Sequence, residues 1–356
     1  MFKPIIIGKL RAKRSNLITI MSILMILSAS LFIGCGDKKD SKTDDSKKDS
    51  VSALLIKKDS VTGKEKVLLK YIVKKGDKFS YKLVAKTSNM EKSPATEEKE
   101  VTQNNVINYF YNKEVTDVDA TGIITYKTQF DSITITASLA DESVNYNSNI
   151  NDSNKLNPAF FQYNSVIGQP FYMRVTEQGE ISDIYGLEKI YENLFKALGD
   201  TLTEQEKSTI KESFGKESIK EIMQQEYQIC PKEEIYTDSS WVKSFTTAVL
   251  VFEVQNNAKY TFKGIENKNG QSVANIEAML NVEFKTKEAK ERGMKLAIEN
   301  SETSGSGKIQ MNLSRGCISY KETMTNLKLN IRLSAGGQSA KSEQGVTTNL
   351  TVTLLN

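Results

Sequence analysis

The sequence predicts an α+β fold: predominantly antiparallel β-sheet in two related halves, with about three helices packed on one face. Three observations point there. Long runs alternate apolar and polar residues at the period of half-buried strands: Ile276, Ala278, Leu280, Val282 and Phe284, then Leu327, Leu329, Ile331 and Leu333, then Val346, Thr348, Leu350, Val352 and Leu354. One polar face per run marks antiparallel sheet, since parallel strands are buried on both sides. Helical periodicity is confined to about Ile184–Ile229, so the helices form an insert between strands. About 320 residues follow the N-terminal targeting segment, enough for one large domain or two fused halves.

The chain begins with a basic stretch, Lys3, Lys9, Arg11, Lys13 and Arg14, followed by an uncharged apolar run from Leu17 to Ile33. This is the layout of an export signal. Its alternative, an uncleaved anchor of about 17 residues, is at the short end for crossing a bilayer. The run ends in Leu31-Phe32-Ile33-Gly34-Cys35, which resembles the bacterial lipoprotein box. The resemblance implies a signal peptide over residues 1–34, cleavage before Cys35 and acylation of that cysteine, anchoring the protein to the cell envelope membrane. Gly36, in place of aspartate, favours the outer membrane over the inner under the enteric sorting rule. Residues 35–63 read as a disordered polar tether. Five lysines balance five aspartates between Asp37 and Asp49, and such a stretch buries too little apolar surface to fold.

Order is expected over residues 64–356, with halves at 64–182 and 236–356 around a helical insert at 184–230. A short strand at Leu69–Val73 leads through the turn Lys75-Gly76-Asp77 into Phe79, Tyr81, Leu83 and Ala85, which alternate with polar residues. Strands are predicted at Val101–Thr116, Gly122–Ala137 and Val166–Val175, with a loop at Asn147–Asn157 and a turn at Gln178-Gly179. Leu187, Ile190, Tyr191, Leu194, Phe195 and Leu198 make one apolar stripe of a helix stopped by Gly199. Thr203 and Glu206 have capping-box spacing for a second helix to about Phe214. Ile219, Ile222, Met223 and Tyr227 mark a third, ending before Pro231. Strand period returns after Trp241.

Several function classes are excluded by composition. The chain contains no histidine, which removes Ser-His-Asp and Cys-His catalysis and the commonest zinc sites. The net charge of +4 includes the five basic residues of the signal, so the remainder is near neutral and gives no case for nucleic-acid binding. With Cys35 committed to lipid, Cys230 and Cys317 form an even pair, either a disulfide in an oxidising compartment or two separately buried thiols. Gly305-Ser306-Gly307-Lys308 is a fragment of a phosphate loop with Ile309 where Ser or Thr is required. Ser208 and Lys211, like Ser213 and Lys216, have Ser-x-x-Lys spacing on a charged helix without the companion motifs of that chemistry. No catalytic residue, cofactor site or metal site is predicted, and the chain reads as non-enzymatic. The aromatic groups Tyr109-Phe110-Tyr111, Phe160-Phe161, Phe171-Tyr172 and Tyr260 with Phe262 serve either as core beneath the helices or as the lining of an apolar cleft.

Lys74-Lys75-Gly76-Asp77-Lys78-Phe79-Ser80-Tyr81, Val166-Ile167-Gly168-Gln169-Pro170-Phe171, Gly179-Glu180-Ile181, Tyr185-Gly186-Leu187-Glu188-Lys189-Ile190 and Asp238-Ser239-Ser240-Trp241 follow in an order that resembles a family of uncharacterised bacterial envelope lipoproteins known as a domain of unknown function. The resemblance covers about Lys66 to the C-terminus. The turn Tyr236-Thr237-Asp238-Ser239-Ser240 departs from the Val-Gly-Asp common in that family. The resemblance implies no catalytic residues. By fold analogy alone it suggests a curved sheet or half-barrel like those of lipoprotein-localisation carriers. Two expectations follow: an envelope lipoprotein binding a lipid or other apolar ligand, or a structural or surface module whose partner is another protein.

Overall fold

Period-two patterning is realised as long antiparallel hairpins. The computed structural model describes residues 55–58, 63, 65–139, 142–150, 156–199, 202–291 and 293–356. The expected signal segment, Cys35 and most of the expected tether lie outside the described residues.

In chain order the strands of the first half are β1 (Ile56–Lys58), β2 (Glu65–Val67), β3 (Lys78–Lys92), β4 (Val101–Val118), β5 (Ile124–Leu139), β6 (Glu142–Asn147), β7 (Phe171–Val175) and β8 (Ile181–Tyr185). The helices are α1 (Phe161–Val166), α2 (Glu188–Leu198), α3 (Glu204–Ser213) and α4 (Lys216–Gln224). The second half holds β9 (Ile235–Tyr236), β10 (Ser240–Val249), β11 (Phe252–Lys268), β12 (Gln271–Phe284), β13 (Glu288–Glu291), β14 (Met294–Asn312), β15 (Cys317–Ala335) and β16 (Gln338–Leu354).

One sheet runs through both halves, in the order β10-β11-β12-β14-β15-β16-β3-β4-β5-β7-β8, with β13 beside β14 and β6 beside β5. Every ladder in it is antiparallel. A second, small sheet has the order β1-β2-β9. Bulges in the β4–β5 ladder at Phe110/Tyr111 and Val115/Asp117 bend the strands. Across the first, the buried residues of β5 change from Tyr126, Thr128 and Phe130 to Ile133, Ile135 and Ala137.

The antiparallel sheet and the helical insert agree with expectation; four local features do not. Order starts before residue 64: Leu55 is buried and Ile56–Lys58 pairs with β2, because Leu55 and Ile56 give the end of the tether apolar surface to bury. Leu69–Val73 is extended and alternately buried, but it joins no ladder. It is tied instead by the Tyr71 amide donating to the Glu177 carbonyl at 2.8 Å. Val166–Val175 is not one strand: α1 ends at Val166, Ile167 makes an isolated bridge to Phe130, and Gly168, at φ +70°, with Pro170 after it, breaks the run before β7 starts at Phe171. Finally, Ile184 belongs to β8, and the helical insert begins at Glu188.

The helices follow their local chemistry. α2 buries Ile190 and Leu194, each contributing about 1.5–3 kcal/mol through apolar burial. α3 opens with the reciprocal capping box: the Glu206 amide donates to the Thr203 hydroxyl, and the Thr203 amide to the Glu206 carboxylate at 2.8 Å. α4 buries Ile219 and Met223. Among the described residues no helix is long and apolar enough to cross a membrane.

Candidate functional site

The two ends of the sheet's inner face are filled differently. At the end where β3 and β15 begin and β4 and β14 finish, the helices and the segment 225–230 cover the sheet. Tyr81, Tyr111, Tyr126, Phe130, Phe171, Tyr227, Tyr260 and Phe262 are all buried in one core. Of the aromatics weighed from sequence, Tyr109, Tyr111, Phe160, Phe171, Tyr260 and Phe262 are packed into this core, whereas Phe110, Phe161 and Tyr172 are half-buried.

A charged cluster is embedded in that core. Lys113 of β4 pairs with Glu226, the side chains of both being 1 % exposed. Lys113 also donates to the Tyr227 hydroxyl at 3.0 Å and lies 4.4–5.3 Å from the ring centres of Phe79, Tyr81, Tyr126 and Tyr227. Tyr111 donates to the other Glu226 carboxylate oxygen at 2.8 Å. Lys321 of β15 reaches the Tyr227 carbonyl at 2.8 Å, and burial pulls its ammonium down to about 8 despite the opposing charge of Glu226. Burial, reinforced by Glu226, holds the hydroxyls of Tyr111, Tyr126 and Tyr227 well above the usual phenol range.

Backbone groups of the same segment are tied down as well. The Gln228 amide donates to the Tyr71 hydroxyl at 2.8 Å, the Cys230 amide to the Gln178 carbonyl at 2.9 Å, and the Trp241 indole to the Ile229 carbonyl at 3.2 Å. Gln224 clamps the turn before β8, donating to the Gly179 carbonyl and accepting from the Ile181 amide. Only glycine fits at 179: φ is +93°, and a Cβ would stand 2.5 Å from the Gln228 carbonyl oxygen. The cluster is sealed from solvent and ties the segment 225–230 to β4 and β15.

Cys230 and Cys317 also belong to this end. They are free, buried thiols, the second of the two alternatives their even number left open. Cys230 is shut in against Met311, Sγ to Sδ 4.0 Å, and burial raises the two thiols to about 12 and about 11 respectively. The phosphate-loop fragment is likewise structural. Gly305 and Gly307 lie mid-strand in β14, and a Cβ at 305 would come within 2.7 Å of Leu280 Cβ.

The opposite end is built mostly from aliphatic residues, and none of α1–α4 contributes to its cluster. A second cluster of Val249, Phe252, Val254, Leu296, Ile298, Leu327, Leu329 and Ile331 forms there. Beside it is a partly open cleft of about 160 Å³. Its apolar walls come from Met90 and Val101 on β3 and β4, Leu139 on β5, Leu327, Leu329 and Val346 on β15 and β16, and Val249 and Leu250 at the tip of the β10–β11 hairpin. β10 is an edge strand whereas β5 lies toward the other edge, so the sheet curls until its two sides face one cleft. Leu250 holds a left-handed φ of +55°. Such hairpin positions favour Asn or Gly, so an apolar residue there is held in a costly conformation beside the cleft.

Sequence reasoning placed Leu327, Leu329 and Val346 on the inner faces of strands but did not gather them into a cleft. The signal available was the apolar hairpin tip Val249-Leu250-Val251, where turn chemistry normally supplies polar residues.

With this geometry in view, the chain belongs to the family of unknown function DUF6263, which it matches over residues 121–318, more than half its length. That span contains the helices and the 225–230 segment; β3, β4, most of β15 and β16 lie outside it. Comparison with curated proteins gives no match. Among solved structures, one described for lipid–protein interactions in lipovitellin is similar with a TM-score of 0.42 at 9 % identity, over 80 % of this chain. The chain spans 26 % of that one. Pseudomonas aeruginosa OpdQ aligns with a TM-score of 0.18 at 7 % identity, over 79 % of this chain and 100 % of its own. P. aeruginosa OccK7 (OpdD) gives 0.21 at 6 % identity, over 79 % and 100 %. At these scores the likeness assigns neither ligand nor partner.

Proposed function

We propose that the protein is a non-enzymatic lipoprotein of the bacterial cell envelope, anchored through acylated Cys35, that binds an apolar ligand in the cleft at the uncovered end of its sheet. The observation that carries this reading is the cleft. Protein interiors leave few voids larger than a water molecule, and about 160 Å³ is roughly ten times the space one water needs. Its aliphatic walls, gathered from both sides of the curled sheet, suit an acyl chain or similar body. The Leu31–Cys35 stretch supports the anchor.

Two measurements test the two parts. Radiolabelled palmitate should enter the full chain and be lost in Cys35→Ala; labelling that persists removes the anchor. Organic extraction of the purified full chain, followed by mass spectrometry, should release an acyl compound that is depleted in Leu327→Trp, where the indole fills the cleft. Equal recovery from both chains would count against the ligand.

A further inference from the structure

The cleft floor contains one polar interruption. Strand register places Leu327, Val346, Asn89, Gln103 and Leu139 side by side in a single row across β15, β16, β3, β4 and β5, and all five line the cleft. Three are aliphatic; the middle two are carboxamides on adjacent strands. Gln103 is 2 % exposed. Its Nε2 is turned toward Asn105 Oδ1 at 3.4 Å, while its Oε1 has no hydrogen-bond partner among the described residues. The Nδ2 and Oδ1 of Asn89 are both buried and likewise without partners among the described residues. Buried polar atoms are nearly always paired, because an unpaired one forfeits its hydration without return. Aliphatic side chains would complete this row at no such cost.

We propose, building on the reading of the cleft as an apolar-ligand site, that the Asn89–Gln103 pair recognises the head of an acyl lipid that is uncharged and both donates and accepts hydrogen bonds. The pair offers two acceptors, Asn89 Oδ1 and Gln103 Oε1, beside one donor, Asn89 Nδ2. A hydroxyl- or amide-bearing head complements that set, whereas an ester accepts but cannot donate. The charge of the site argues against an anionic head. Glu91, two residues from Asn89 on the same face of β3, is the charged residue in the lining, and no lysine or arginine lines the cleft among the described residues. A carboxylate head would meet Glu91 without a counter-ion. The tail then lies against Val101, Val249, Leu250, Leu327, Leu329 and Val346.

The test is photocrosslinking of the full chain in its own membranes with a diazirine-tailed monoacylglycerol, competed by 1-monooleoylglycerol, methyl oleate or oleate at pH 8. The label should map to peptides around 89–103 and 327–346. Monooleoylglycerol should compete at about one-tenth the concentration needed for either of the others, as one to two net hydrogen bonds imply. In Asn89→Leu/Gln103→Leu that advantage should shrink to within about twofold while methyl oleate still competes. If the three competitors are equivalent in the parental chain, or the preference survives in the double variant, head recognition fails and the apolar cleft stands. If no label reaches the cleft at all, both readings fail. The competitor series on the parental chain decides the matter independently of how the double variant folds.

Discussion

One strand pattern has been closed in two ways. Toward the starts of β3 and β15 the inner face carries tyrosine, phenylalanine and lysine, and the helical insert covers it, with Lys113, Glu226 and Lys321 fixing the segment 225–230 against the strands. Toward the opposite end the inner face carries leucine, valine and two carboxamides, and the tip of the β10–β11 hairpin approaches it without filling it. The alternation of inward and outward residues is the same at both ends; what differs is the type of inward residue and whether another part of the chain fills the curve. The first end is thus closed by the insert and the second is left partly open.

The strongest way to break that contrast is at the buried pair. Glu226→Gln leaves the Lys113 charge without its partner and should cost about 3–5 kcal/mol in chemical denaturation. Replacing both by methionine and leucine should recover most of that loss. A loss under about 1 kcal/mol for the single variant would mean the insert is not seated by this cluster.

A smaller effect should follow pH. The folded-state value of Lys321 is lowered from 10.5 to about 8, so between those values the unfolded chain holds the proton that the native chain has released. Stability from this group therefore rises with pH across that window, by on the order of 3 kcal/mol in full. Cys230 and Cys317, raised from 9.0 to about 12 and about 11, act in the opposite sense above pH 9. Melting temperature should consequently climb from pH 7.5 to 9 in the parental chain and stay level in Lys321→Met; parallel profiles would remove Lys321 from the account.

The smallest effect belongs to the open end. Leu327→Phe should fill part of the cleft and stabilise the fold by about 0.5–1 kcal/mol, as cavity-filling changes commonly do. The same variant should weaken competition by monooleoylglycerol. Destabilisation by more than about 1 kcal/mol would show that the cleft end is already closely packed.

The sheet and the insert were legible because both depend on periodicity. Phe79 to Ala85, Leu327 to Leu333 and Leu187 to Leu198 announce their elements within a dozen residues. Boundaries set by single backbone positions were less legible: Gly168 and Pro170 divide what reads as one apolar run into a helix end and a strand. The state of Cys230 and Cys317 was not legible at all, since it depends on separation and not on number. Nor was the pairing of Lys113 with Glu226, which are 113 residues apart in the chain and surrounded in sequence by ordinary strand and helix composition. The cleft fell between these cases. Leu327, Leu329 and Val346 were assigned to the buried faces of their strands, but the row Leu327–Val346–Asn89–Gln103–Leu139 exists only once strand order is known.

That strand order has a further consequence, for the time course of folding. β16 lies between β15 and β3 and pairs Leu354 with Tyr81, so within the large sheet the two halves are joined along this 17-residue strand. Contacts this remote in sequence form late, because a long loop must close before any pairing repays it. Until β16 pairs, β3–β5 and the β10–β15 hairpins each keep an unpaired edge, on β3 and on β15. Unpaired edges are where chains associate wrongly. Pairing of β16 is therefore the step that covers both of these edges at once.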